Sequence, residues 1–323
     1  MRRLIIIITI LLLALASYSQ QDAQFSQYMF NGLYINPAYA GYKEQANIHS
    51  FYRTQWTGFE GAPQTMSLAG DVVMKEGNVG LGLLLSNDFT GAQSNFSAYL
   101  NYAYRLQLGE SGFSRLSFGL AAGIVQQGID GDKLSSIDYD QYVPIGKPTE
   151  SFPDARFGIF YSTPKVFAGL SADNLLASYF QAKNHAKNIL LPKINRHYYL
   201  TAGALFRLNY DVQLKPTILI KDDQQTFTSL DVNAFALLYD RIWIGAFYRT
   251  AIKLYNKPHL DQGLQKKNGI GAITDFYVNE NLRLGYAFDY SLSNLRNYNY
   301  GSHEISIGFA LGPLRREGPK CYF

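Results

Sequence analysis

From Leu282 to Tyr290 every second residue is large and apolar. Leu282, Leu284, Tyr286, Phe288 and Tyr290 share one face of an extended chain, and Arg283, Gly285, Ala287 and Asp289 share the other. A helix would scatter these side chains around its axis, so period two predicts a strand with two chemically opposed faces. The pattern recurs. Val79, Leu81, Leu83 and Leu85 alternate with Gly80, Gly82 and Ser86; Leu116, Phe118, Leu120, Ala122 and Ile124 alternate with Ser117, Gly119, Ala121 and Gly123. Phe96, Ala98, Leu100, Tyr102, Tyr104 and Leu106 follow the same rule, as do Ile305, Ile307, Phe309 and Leu311. Fourteen segments carry a strand signal: 46–55, 64–74, 79–87, 93–107, 113–126, 154–162, 166–172, 196–207, 210–221, 226–238, 241–250, 268–278, 281–292 and 299–311.

The connections between these segments alternate in length. The even-numbered ones are short, as at Lys75-Glu76-Gly77-Asn78, Thr163-Pro164-Lys165, Tyr239-Asp240 and Asn279-Glu280, and the odd-numbered ones include 127–153, 173–195 and 251–267. An antiparallel barrel in an outer membrane has short turns on its periplasmic side and long loops outside, and an even strand count places both termini on one side. An amphipathic strand in a soluble barrel or sandwich has the same period, with the apolar face turned inward. Two further features favour the membrane version. Glycines recur on the non-apolar face, and the chain opens with MRRLIIIITILLLALA, which has the basic, apolar and small-residue regions of an export signal. Cleavage is expected after Ala16 or Ser19; the run is short for a helical span, which needs about 20 residues.

Composition bounds the function. Only 17% of residues are charged, and losing Arg2 and Arg3 leaves basic and acidic residues almost balanced, so nothing points to nucleic acid or a polyanion. The single cysteine, Cys321, forms no disulfide within the chain and supports no thiolate metal site. His49, His185, His197, His259 and His303 are dispersed and never spaced as a metal pair. His49-Ser50 and Ser302-His303-Glu304 contain hydrolase residue types without a nucleophile elbow. We expect no catalytic residues, no metal and no cofactor. The inward charges Arg105, Asp231, Arg283, Asp289 and Glu304 either line a solute pore or pair with each other and with the N-terminal segment; the sequence leaves both open.

Residues 20–45 precede the first strand and are aromatic and polar. Gln24-Phe25-Ser26-Gln27-Tyr28-Met29-Phe30-Asn31 and Asn36-Pro37-Ala38-Tyr39-Ala40-Gly41 resemble the start of the PorP/SprF family of Bacteroidota outer-membrane proteins. The resemblance continues at Arg53-Thr54-Gln55-Trp56, Tyr102-Ala103-Tyr104-Arg105, Gly285-Tyr286-Ala287-Phe288-Asp289 and the tail Lys320-Cys321-Tyr322-Phe323. It implies type IX protein secretion: export or surface attachment of a partner, such as a gliding adhesin, that carries a type-B C-terminal sorting domain. It also implies periplasmic and outer-membrane secretion components as neighbours.

The expected organisation is a signal peptide (1–19), a periplasmic or plug segment (20–45), an all-β transmembrane antiparallel barrel of fourteen strands (46–311) and a periplasmic tail (312–323). Phe25, Tyr28, Phe30, Asn36, Pro37 and Tyr39 are the candidate partner-docking or plug residues. The expected location is the cell outer membrane with periplasmic termini. A channel for small or hydrophobic solutes is the alternative function, and a barrel enzyme built on His49 and His303 a more distant one.

Overall fold

The computed structural model describes residues 25–74, 77–109, 113–134, 143–184, 191–258, 260 and 267–312. The expected signal peptide, His185, His259 and the tail from residue 313 lie outside the described residues.

The strands are β1 Ala46–Thr54, β2 Gln64–Met74, β3 Val79–Thr90, β4 Gln93–Leu108, β5 Ser114–Ile129, β6 Thr149–Ser162, β7 Val166–Asp173, β8 His197–Ala204, β9 Phe206–Arg207, β10 Val212–Asp222, β11 Thr228–Leu238, β12 Ile242–Ile252, β13 Lys267–Tyr277, β14 Leu282–Ser291 and β15 Ser302–Leu311. Every pairing is antiparallel and joins neighbours in sequence, except that β8 pairs with β10 and that β15 closes the sheet by pairing with β1 from Ala46↔Leu311 to Thr54↔His303. β8 and β9 pair with the same edge of β10, so they are one wall strand interrupted at Leu205 and the closed barrel has fourteen strands. Closure removes both sheet edges, which a backbone in lipid requires.

The faces follow the alternation. Leu100, Leu120, Ile124, Leu284, Ile305 and Leu311 are exposed on the outside, while Arg283, Asp289, Glu304 and Ser306 are buried inside. Tyr239 and Asp240 both have φ of +52°, the two left-handed positions of a hairpin turn whose twist matches that of its strands. A charge in the outer band has no partner and no water. Leu120→Arg, at a position 61% exposed, is expected to destabilise the barrel by about 2–4 kcal/mol if it lies near the bilayer midplane. Urea unfolding in lipid vesicles measures this, and an unchanged midpoint would place β5 outside the bilayer.

The long-loop side departs from the sequence reading. β5 and β6 continue their ladder to Gly128↔Thr149, so the connection expected over 127–153 shrinks to 130–148. The polar run Gln126-Gln127-Gly128 breaks the apolar alternation without breaking the ladder, because hydrogen bonding does not need lipid. The segment expected as loop 173–195 contains a helix, α1 Ala177–Asn184. Asp154 Oδ1 accepts from the Leu176 and Ala177 N–H groups at 3.0 and 2.9 Å, tying the helix start to β6. Gln181 then reaches Gln127 at 2.8 Å.

Candidate functional site

Residues 25–45 occupy the lumen. Three short 3₁₀ turns, Tyr28–Phe30, Gly32–Tyr34 and Pro37–Tyr39, fold the segment on itself. Local chemistry sets two of them: the Asn31 side chain accepts from Leu33 N–H, the Asn36 side chain accepts from Ala38 N–H, and Pro37 fits the first helical position. The segment enters β1 at the short-turn end and reaches back to Ser26 beside Arg53, near the long-loop end.

Five of its six aromatic side chains meet an aromatic side chain projecting from the wall. Phe25 and Tyr34 pack edge-on to Phe51 at centroid distances of 5.0 Å. Phe30 meets Phe235 and Trp243 at 5.9 and 6.2 Å. Tyr39 and Tyr42 both meet Phe160 at 5.5 Å. The wall glycines make room for the backbone. A Cβ on Gly80 would stand 1.9 Å from Ala40 O, one on Gly119 2.1 Å from Ala38 N, and one on Gly158 2.0 Å from the Asn36 side chain. Asn36 itself donates to the carbonyls of Ile159 and Leu170 at 3.0 and 3.2 Å.

The lumen charges are paired, and most hold the segment. Glu304 accepts from the Ser26 and Gln27 N–H groups, each at 2.9 Å. Arg53 bridges Asp289 at 2.5 Å and Glu304 at 3.1 Å, and donates to Ser26 Oγ at 2.8 Å. Asp231 takes a two-pronged contact from Arg249, with N···O distances of 2.9 Å. Arg105 and Arg115 reach Glu44 at 3.4 and 3.2 Å. Arg283 pairs with Asp275 and donates to Phe30 O. Arg156 donates to Tyr34 O at 2.8 Å, and Ser171 donates to Ile35 O. Tyr28 OH accepts from Asn233 at 2.8 Å. Burial, with Asp231 beside it, pushes the Tyr28 phenol above its ordinary range, and burial does the same to Tyr34, so both remain neutral.

The structure places all six candidate N-terminal residues inside the lumen and turns all five candidate lumen charges inward, where most of their partners are other residues of the segment or wall. The sequence reading missed Arg53, Arg249, Asp275 and Lys215. Alternation within each strand could have found Arg53 and Arg249, which stand two residues after the inward aromatics Phe51 and Phe247. The structure does not bring His49 and His303 together. His49 faces the lumen against Tyr34, whereas His303 lies on the outer face against Tyr286 and Phe288.

The segment separates two cavities. One of about 570 Å³ opens at the long-loop end between Arg53, Asp88, His197 and Asp289; another of about 740 Å³ lies at the short-turn end beside Lys43, His49 and Arg283.

Residues 17–309 match the family model described as Type IX secretion system membrane protein PorP/SprF. The fold is similar to that of the CymD monoaromatic hydrocarbon channel, with 11% identity and a TM-score of 0.51 over 90% of this chain and 94% of that one. Omp33 of Acinetobacter baumannii, an outer membrane protein, aligns with 6% identity and a TM-score of 0.49 over 83% and 98% of the two chains. No curated protein matches the sequence.

Proposed function

The chain belongs to the PorP/SprF family of type IX secretion membrane proteins, and on that premise we propose that it is a non-catalytic factor for the export or surface attachment of one partner protein. Membership makes it an outer-membrane component of the secretion system, so other components of that system are its neighbours. The partner, in this reading, carries a type-B C-terminal sorting domain, as a gliding adhesin would. The short-turn mouth faces the periplasm and the long loops face the cell surface.

The observation that carries the reading is the seated N-terminal segment. The residues by which the chain resembles the family, Phe25 to Asn31 and Asn36 to Gly41, are those that fill the lumen and take up its charges. A wall designed to pass small solutes leaves its charges to water, whereas here carboxylates and guanidiniums are spent on one segment of the chain. The alternative, a channel for small or hydrophobic solutes, draws support from the similarity in fold to CymD.

Deleting the gene and comparing the secreted and surface proteomes tests the proposal. The expected result is loss of one large protein, or a very few, from the surface while other secreted proteins persist. A general secretion defect would make the chain a core component serving all cargo. Unchanged secretion would refute the reading.

A further inference from the structure

Followed back from Phe30 toward the N-terminus, the lumen segment climbs. Phe30 O lies near the short-turn end, where Arg283 donates to it at 3.3 Å from the start of β14. Tyr28 OH is at mid-height, 2.8 Å from Asn233 in the middle of β11. Ser26 is close to the long-loop rim: its hydroxyl donates to Asp289 and accepts from Arg53, both at 2.8 Å. Arg53 stands one residue before the end of β1 and Asp289 two before the end of β14, so Ser26 sits about 3–7 Å below the rim. An even number of strands brings the two ends of the barrel, Ala46 and Leu311, together at the short-turn end. The rising limb from Phe30 to Phe25 is one more passage along the lumen, and it carries the chain to the opposite end.

Three directions lead on from Phe25. Downward, the lumen is filled by the segment itself, with Tyr28, Phe30, Leu33, Tyr34 and Tyr39 buried against the wall. Sideways stands a closed ladder, and the lipid beyond it does not accept unpaired backbone. The gap beside Phe25 and Tyr28 measures about 30 Å³, room for a water or two and for no chain. Upward, the vestibule of about 570 Å³ opens directly above, with Arg53 and Asp289, the partners of Ser26, among its lining residues.

The vestibule also suits what would enter it. Gln55, Asn95, Gln127, Asn195 and Ser291 line it, and its charges Arg53, Arg249 and Asp289 lie within ion-pair distance of one another. Amides and hydroxyls both donate and accept, as a peptide backbone and amide side chains require. The residues preceding Phe25 are Gln20-Gln21-Asp22-Ala23-Gln24, which cleavage after Ala16 or Ser19 leaves on the chain. Extended, they reach about 17 Å, more than the distance from Ser26 to the rim.

We propose that the long-loop vestibule is the exit of the N-terminal segment: residues 20–24 occupy it, and the N-terminal end of the exported chain is presented at the cell surface instead of in the periplasm. The inference rests on the barrel orientation given above. It goes beyond the secretion role, because it makes the N-terminal tail, as well as the long loops, available to a partner outside the cell.

The test places two epitopes in one full-length chain, a haemagglutinin epitope between Gln21 and Asp22 and a Myc epitope after Ile145, which is 98% exposed in the connection between β5 and β6. Antibodies are applied to intact cells and to cells whose outer membrane has been permeabilised. Both epitopes are expected to stain intact cells as strongly as permeabilised ones. Myc at the surface with haemagglutinin visible only after permeabilisation, or in neither case, would overturn the proposal and leave the orientation and the secretion role standing. Myc hidden until permeabilisation would reverse the orientation and take the proposal with it. Gln21→Cys in a Cys321→Ser background adds no length and serves as the second variant, should the insertions prevent assembly. A membrane-impermeant maleimide is expected to label it on intact cells, and labelling only after permeabilisation would count as decisively against the exit.

Discussion

Arg53→Ala lowers the stability of the folded barrel by about 3–5 kcal/mol, the cost of removing one partner from a buried ion group. Arg53 is 2% exposed and stands between Asp289 and Glu304, at 2.5 and 3.1 Å. Glu304 is fully buried, and its remaining hydrogen bonds come from the Ser26 and Gln27 amides. Without the guanidinium, two carboxylates face the same space with only those amides, the Ser26 hydroxyl and the distant Arg249, 3.9 Å from Asp289, to oppose them. The fall in the urea midpoint, followed by tryptophan fluorescence in detergent, measures the effect. The triple variant Arg53→Met, Glu304→Gln, Asp289→Asn separates charge from shape. It removes all three charges while keeping side chains of similar size, so it is expected to recover most of the loss. A single variant within 1 kcal/mol of wild type, on the scale expected for an exposed pair, would mean that the Arg53 cluster is hydrated and does not fasten the segment.

Much of the barrel is legible in the sequence because lipid and lumen impose opposite chemistry on alternate residues. In β14 the large apolar set and the charged set never mix, and the parity of the short turns fixes the strand count. Register across the closure gave the site less readily. Arg53 lies opposite Glu304 in the β1–β15 ladder, a pairing of residues far apart in the chain that alternation within one strand cannot reveal. The seat of the N-terminal segment was hidden for a different reason. In β12 the outward Ile244 and Tyr248 alternate with inward Trp243, Gly245 and Phe247, so up to Arg249 both faces are apolar or small. Where the lumen holds protein instead of water, its wall becomes a core surface, and the contrast that identifies a membrane strand fades. The inward aromatics and glycines are nevertheless a signal. Large rings at Phe51, Phe160, Phe235 and Trp243, with glycines at Gly80, Gly119 and Gly158, are unsuited to a water-filled pore and suited to receiving a folded backbone. α1 gave no such signal, because its apolar residues follow no helical period.

Replacing two of those glycines should open the barrel. Gly80→Val with Gly119→Val puts side chains where Ala40 O and the Ala38 amide now lie, 1.9 and 2.1 Å from the first added carbon. The wall cannot yield, since both positions belong to strands paired on both sides, and valine suits the strand conformation. The lumen segment must therefore leave its seat. Fourteen strands enclose a lumen wider than that of a packed eight-stranded barrel and narrower than that of an open porin, so emptying it should raise single-channel conductance in planar bilayers roughly ten-fold or more over wild type. Gly70→Ala is the control, because its added carbon meets Asn47 O at an ordinary 3.6 Å. A conductance already high in wild type and unchanged in the double variant would show that ions pass the seated segment, and would favour the solute-channel alternative. A low conductance in wild type that rises only when the seat is blocked would identify residues 25–45 as the barrier. The wall glycines would then be fitted to the plug's backbone rather than to a passing solute, and the charges behind them would serve to hold the plug in place.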